Sequence, residues 1–217
     1  QAYDYMLGCV KQVRATRAAS LEQLIEQTRA RLDRMLLHGT TTAEAKTGYG
    51  LETATELKML SAIEQLDRTH AIDLVPTFLG AHAIPAEYKG REDAYTDLVV
   101  NEMLPAVASL VTRHSSLFCD VFCEDGAFNL EQTRRILERA KELGFALKIH
   151  VDEFEPLHGT RLGVELGATS VDHVVTTPQA EVELLGRSNT IAVSLPGTPF
   201  GLGDPHYSPA RPLMIAL

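Results

Sequence analysis

Apolar residues recur at two alternating spacings along the chain. Leu21, Leu24, Ile25, Leu32, Met35 and Leu36 fall at helical intervals behind Ser20-Leu21-Glu22-Gln23. That tetrad is a capping-box sequence, in which the Ser and Gln side chains close first-turn amides reciprocally. Gly39 ends the pattern, and Thr40-Thr41-Thr42 opens a β-prone stretch running toward Gly48. Thr53-Ala54-Thr55-Glu56 reads as a second capping box, opening a helix through Leu57, Leu60, Ile63 and Leu66. Short apolar runs then alternate with helical patterns to the end of the chain. Strands are expected near 40–46, 74–80, 117–123, 146–150, 168–173 and 190–195. The intervening helices include a long one at about 92–113, one capped by Asn129 and closed by Gly144, and one over 157–166. Another begins with Pro178 as its first helical residue, and 209–217 reads as a last helix still in progress.

Six strand–helix units in succession imply a parallel sheet with helices outside it. An open doubly wound sheet and a (β/α)8 barrel both fit that alternation. The open sheet is favoured by a phosphate-binding glycine fingerprint after the first strand, and none is present. Six units in 217 residues fit an α/β fold of the (β/α)8 TIM-barrel type with two of its eight strands missing. The chain opens on Gln1 rather than Met, which reads as a partial record of a longer protein.

Composition narrows the function. A formal net charge of −9, with Lys and Arg scattered, argues against nucleic-acid binding, as does the absence of Trp. No apolar stretch approaches the roughly 20 residues that cross a bilayer. Three cysteines, Cys9, Cys119 and Cys123, do not suggest a secreted disulfide framework. Cys119 and Cys123 lie in an apolar run and read as buried thiols. A cytoplasmic setting is expected.

The informative residues are those that follow each apolar strand. Glu44, Lys46 and Tyr49 follow the first, His82 the second, and Glu124 with Asp125 the third. His150, Asp152 and Glu153 follow the fourth, Asp172 and His173 end the fifth, and Pro196-Gly197-Thr198-Pro199 ends the sixth. In a barrel these strand ends share one mouth, where barrel enzymes carry their sites. One strand-end His reads as a structural residue. Three of them with two carboxylates read as a metal or acid–base site. Neutral imidazole suits zinc or iron, and a carboxylate near a bound water can hold or move its proton. Adjacent strands lie under about 5 Å apart, so His150 and His173 could flank one water. His38, His70 and His114 read as helix-end or turn residues. His158 and His206 stay weaker candidates beside the site.

These segments resemble the imidazolonepropionase family of the amidohydrolase superfamily. Lys46-Thr47-Gly48-Tyr49-Gly50-Leu51 is similar to the family's K-S-G-Y-G-L, and Pro76 through His82 to its P-T-F-L-G-A-H. Lys148-Ile149-His150-Val151-Asp152-Glu153 resembles K-[IL]-H-x-[DE]-[EQ], Gly167 through His173 resembles G-A-x-S-x-D-H, and Leu195 through Phe200 resembles L-P-G-T-x-F. All five run in family order.

The resemblance implies hydrolysis of 4-imidazolone-5-propanoate to N-formimidoyl-L-glutamate, a step of histidine degradation. It implies a homodimer with one zinc or iron ion per subunit. His150 would be a metal ligand, and Glu153 would hydrogen-bond the substrate ring or the attacking water. His173 would orient and polarise that water or the carbonyl, while Tyr49 and His82 would contact substrate. It also implies an H-x-H ligand pair, a substrate-binding Arg and an Asp ligand, none of which matches a position among the 217 residues. On this reading residues 1–217 are the central part of one catalytic barrel, without the family's small β-sandwich, and are inactive alone. Two other readings stay open. One is a non-catalytic binding module of this fold. The other is a hydrolase of a different cyclic amide or an aminopurine.

Overall fold

The computed structural model describes residues 11–110 and 117–216. Residues 11–18 (α1) lead into α2 (Leu21–Leu37), and β1 (Thr42–Lys46), α3 (Thr53–Thr69) and β2 (Asp73–Ala81) follow. Next come α4 (Glu92–Leu98) and α5 (Leu104–Leu110), joined by a π turn at Val99–Met103, then β3 (Phe118–Cys123) and α6 (Leu130–Glu142). The remainder is β4 (Ala146–Val151), α7 (Gly159–Leu166), β5 (Ser170–His173), α8 (Gln179–Leu185), β6 (Ile191–Val193), α9 (Gly197–Leu202) and α10 (Ala210–Ala216).

All six strands are parallel and lie in the order β1-β2-β3-β4-β5-β6, as the alternation predicts. The sheet curls. Lys148 Nζ on β4 reaches Glu44 Oε2 on β1 at 2.7 Å, and Lys46 Nζ on β1 reaches Asp120 on β3 at 2.6 Å and Asp172 on β5 at 3.5 Å. These strands are not neighbours, and in a flat sheet with strands about 5 Å apart their side chains would not meet. The fold is an incomplete (β/α)8 barrel with β1 and β6 at its edges.

Alternation along each strand separates two faces. In β4, Leu147, Ile149 and Val151 are buried on the helix side, while Lys148 and His150 point to the barrel interior. In β3, Cys119, Val121 and Cys123 are fully buried and Asp120 faces the interior charges. The thiols of Cys119 and Cys123 are free and buried, and Cys9 lies outside the described residues. Helix and sheet approach closely at Gly163, where a Cβ would stand 2.5 Å from Val171 Cγ1.

The caps at Ser20 and Asn129 form as expected, each reciprocated by the Gln at the third helical position. The capping box expected at Thr53–Glu56 does not form. Glu52 is the N-cap, and the Glu56 carboxylate turns away to backbone amides of the preceding loop. The long helix contains a π turn because Pro105 has no N–H to give, and the Leu104 amide reaches back five residues to the Val99 carbonyl. Pro178 caps α8 instead of starting it, and residues 197–202 form a short helix that the apolar pattern did not signal. His114 lies outside the described residues. No helix among the described residues is long and apolar enough to cross a membrane.

Candidate active site

Because the strands are parallel, their C-terminal ends bring Tyr49, His82, His150, Glu153 and His173 to one end of the sheet. The rings form a continuous arc. Centroids are 5.0 Å apart for Tyr49–His82, 6.1 Å for His82–Phe122, 6.0 Å for Phe122–His150 and 5.2 Å for His150–His173. Glu153 Oε1 lies 3.5 Å from His173 Nδ1. Glu153 also lines a cavity of about 400 Å³ at the mouth with Glu124, Asp125, Thr176, Asp204 and His206, whereas the three strand-end imidazoles are not among its lining residues.

Two buried carboxylates hold the loops that carry these side chains. Glu56, fully buried on α3, accepts from the amides of Gly48 at 3.0 Å, Gly50 at 2.8 Å and Leu51 at 2.9 Å. That fixes the loop presenting Tyr49. Gly48 is required there, since its φ is +102° and a Cβ would meet Leu79 O at 2.8 Å. Its carbonyl accepts from His82 Nδ1 at 3.1 Å, so this one loop orients both predicted substrate contacts.

Glu124 does the same after β3. It accepts from the amides of Glu153 and Phe154 through Oε2, and from Asp125 and Glu155 through Oε1, at 3.0–3.1 Å. Asp152 pins the other side of that loop, accepting from the Gly159 amide and from the hydroxyls of Thr160 and Thr177. Asp152 and His173 both have positive φ, +49° and +77°. Such strain at non-glycine residues persists only where surrounding bonds over-determine the backbone.

The interior charges lie one layer below. Lys46 touches Glu44 at 3.1 Å, Asp120 at 2.6 Å and Asp172 at 3.5 Å. Burial opposes its charge, but these three carboxylates outweigh burial and raise its pKa. Burial likewise opposes the fully buried Asp120 carboxylate, yet His150 and Lys46 hold it well below the usual range. His150 Nδ1 lies 3.0 Å from Asp120 Oδ1, which raises the imidazole's pKa against its own burial. His82 and His173 go the other way. Burial, with His150 adding, lowers them to about 4 and about 3. Burial lifts Glu153 to about 7, against the pull of His150 and with a push from Glu124.

Two observations bear on a metal. Asp120, His150 and Asp172 each offer a ligand atom within 4.8 Å of the others. The bond to Asp120 takes Nδ1 of His150 and leaves Nε2, the arrangement in which a carboxylate orients a metal-binding imidazole. Among the described residues, the buried Glu153 Oε1 and His173 Nδ1 have no hydrogen-bond partner. Buried polar atoms are normally satisfied, so this pair marks where an external polar group fits. The donor set therefore suits an ion bound through His150 Nε2 with a polar reactant beside Glu153 and His173.

Of the two weaker histidine candidates, His206 lines the cavity beside Glu153 while exposed on Asp204, and His158 is exposed and bonded to Glu181 at 2.6 Å. His38 and His70 cap helix C-termini, as their turn positions suggest. Glu56 and Asp120 were not signalled as site residues. Asp120 had a visible mark, being the one charge inside Phe118–Cys123, where a buried carboxylate demands partners.

No family model matches the chain. It is 60% identical over 213 residues to an imidazolonepropionase from Herpetosiphon aurantiacus, covering 96% of this chain and 50% of the relative. It is 49% identical over 207 residues to one from Alkaliphilus metalliredigens, covering 95% and 48%. One from Streptococcus gordonii is 46% identical over 209 residues, covering 96% and 66%. The chain thus spans about half the length of the first two relatives. Among solved structures it is similar in fold to an atrazine chlorohydrolase from Arthrobacter aurescens complexed with zinc and atraton, with TM-score 0.69 and 14% identity, covering 99% of this chain and 51% of that one. An adenine deaminase from the same organism aligns with TM-score 0.57 and 17% identity, covering 81% and 53%.

Proposed function

Since the chain belongs to the imidazolonepropionase family, we propose that it carries the central part of a metal-dependent hydrolase that opens the ring of 4-imidazolone-5-propanoate to N-formimidoyl-L-glutamate. The observation that carries the reading is the partnerless pair Glu153 Oε1 and His173 Nδ1, beside an imidazole whose Nδ1 is already engaged.

On this reading His150 Nε2 holds one zinc or iron ion. The ion, when bound, acidifies a water and polarises the ring carbonyl. The residues do the rest. Glu153 takes the proton as the water's oxygen adds to the ring carbonyl carbon. It returns the proton to the ring nitrogen as the C–N bond breaks, so one group serves as base and then acid. A carboxyl lifted to about 7 suits both roles near neutral pH. His173, neutral because burial lowers its pKa, donates or accepts one hydrogen bond and orients the water against the carbonyl. Tyr49 and His82, fixed by the loop that Glu56 holds, contact the substrate ring and exclude solvent on the β1–β2 side. The expected environment is cytoplasmic and the expected assembly a homodimer.

Substrate choice tests this. A protein carrying these residues at the length of its relatives is offered the imidazolone, a hydantoin, adenine and a triazine with zinc or iron. Loss of the imidazolone's ultraviolet absorbance alone is expected. Turnover of adenine or the triazine in preference, or of none, would overturn the assignment.

A further inference from the structure

We propose that Lys46 and Asp120 are positioning residues for the metal site and not ligands: Lys46 locks Asp120, and Asp120 holds His150 with Nε2 toward the ion. The inference rests on the reading of His150 as a metal ligand and adds what orients it.

The alternative is visible in the geometry. Asp120, His150 and Asp172 lie close enough to grip a cation themselves. The ammonium of Lys46 stands in the way. It is 2.6 Å from Asp120 Oδ2, 3.5 Å from Asp172 Oδ2 and 3.1 Å from Glu44 Oε1. A metal ion among those oxygens would face a positive charge at similar range, with repulsion of several kcal/mol even at an effective dielectric of about 20. The oxygens are also engaged. Asp172 Oδ1 accepts from Ser170 Oγ at 2.8 Å, and Glu44 accepts from Thr77 Oγ1 at 2.6 Å and from Lys148 at 2.7 Å. Lys46 therefore occupies the cation position of this cluster.

The contact geometry points the same way. Asp120, the fully buried member of the cluster, touches Lys46 through Oδ2 and His150 Nδ1 through Oδ1. An imidazole that donates Nδ1–H to a buried carboxylate is held in one tautomer and orientation, with Nε2 the more basic for it. Nε2 is then the atom that would hold the ion, and Asp120 would act only through the imidazole it orients. Lys46 keeps Asp120 from turning toward the ion.

The test is metal affinity, read by competition with a chromophoric chelator in the protein at the length of its relatives, with cobalt spectra alongside. Lys46→Met is decisive because the two readings give opposite signs. A positioning lysine, once removed, leaves Asp120 loose, and zinc binding should weaken by about 10- to 100-fold, the range for loss of an outer-shell partner. If Asp120 and Asp172 were ligands, removing the competing ammonium would tighten binding. Lys46→Arg, which keeps the charge, should restore near-parental affinity and guards against simple misfolding. Asp120→Asn should weaken binding while the cobalt band pattern stays parental, because the ligands are unchanged. Tighter or unchanged zinc binding in Lys46→Met, or an altered cobalt spectrum in Asp120→Asn, would overturn the inference. His150→Ala separates the two layers, since parental metal affinity in that variant would instead sink the underlying assignment of His150.

Discussion

His173 Nδ1 stands 3.5 Å from Glu153 Oε1, and among the described residues neither atom has a hydrogen-bond partner. Both side chains are buried, and burial drives both toward their neutral forms, lowering His173 to about 3 and raising Glu153 to about 7. Two neutral groups facing each other unsatisfied is a costly arrangement, since each unmade buried hydrogen bond costs about 1–3 kcal/mol. Substrate and water would complete it.

Glu153→Gln should separate stability from function. In the metal-free protein the folded carboxyl titrates near 7, against an ordinary 4.5. Between those values the folded state holds a proton that the unfolded state has lost. Its contribution is therefore complete below pH 4.5 and is lost as pH rises through 7, a swing of at most ~3 kcal/mol. Denaturant unfolding at pH 8 should show the Gln variant more stable than the parent, with the two close at pH 4.5. Hydrolytic activity should fall by about 10²-fold or more, the contribution of a proton-transfer group. A stability difference between parent and Gln variant that does not change from pH 4.5 to 7 would contradict the burial of this carboxyl.

His82 supplies the opposite limb. Its folded pKa is about 4 against 6.5 unfolded, so between these values the unfolded chain binds a proton that the folded one refuses. Stability should fall as pH drops from 6.5 toward 4, by at most ~3 kcal/mol for this residue, with His173 adding in the same direction. His82→Asn keeps a donor for the Gly48 carbonyl and should flatten that acid limb. An unchanged slope in urea unfolding across pH 4–6.5 would show that His82 is not buried neutral.

The barrel was legible because strand and helix patterns alternate cleanly and strand-end polar residues recur at one position in each unit. His150, Glu153 and His173 could be placed beside one another at one end of the sheet for that reason. The supporting carboxylates were harder to see. Glu56 sits where a capping box would place it, and only the folded loop shows its carboxylate taking the amides of 48, 50 and 51 instead. Asp120 looks like an interruption of an apolar strand until Lys46, two strands away, is seen beside it. Long-range ion pairs leave no periodic mark in a sequence.

Glu56→Gln follows from that loop. The amide group of Gln would turn N–H donors toward backbone N–H donors, so at least one bond is lost and one repulsion gained. A stability loss of about 2–3 kcal/mol is expected, in the range for hydrogen bonds to a charged partner. Because Tyr49 and the Gly48–His82 contact ride on this loop, KM should rise more than kcat falls. Equal falls in kcat and kcat/KM at unchanged KM would place Glu56 in the chemical step instead.

The 217 residues assayed alone should not turn over the imidazolone. Catalytic zinc sites commonly use three protein ligands and one open position, and His150 is the single ligand assigned among the described residues. Metal-dependent turnover by this chain alone, abolished by His150→Ala, would mean that ligands come from a second copy.

The central claim is that one metal-assisted hydrolytic site is built on His150 at the end of β4. The most direct measurement is imidazolone turnover, with bound metal counted in the same samples, for the relative-length protein and its His150→Ala variant. The account predicts about one ion per chain and measurable turnover in the parent, and loss of both in the variant. Parental turnover by a His150→Ala protein, with metal still bound, would contradict it.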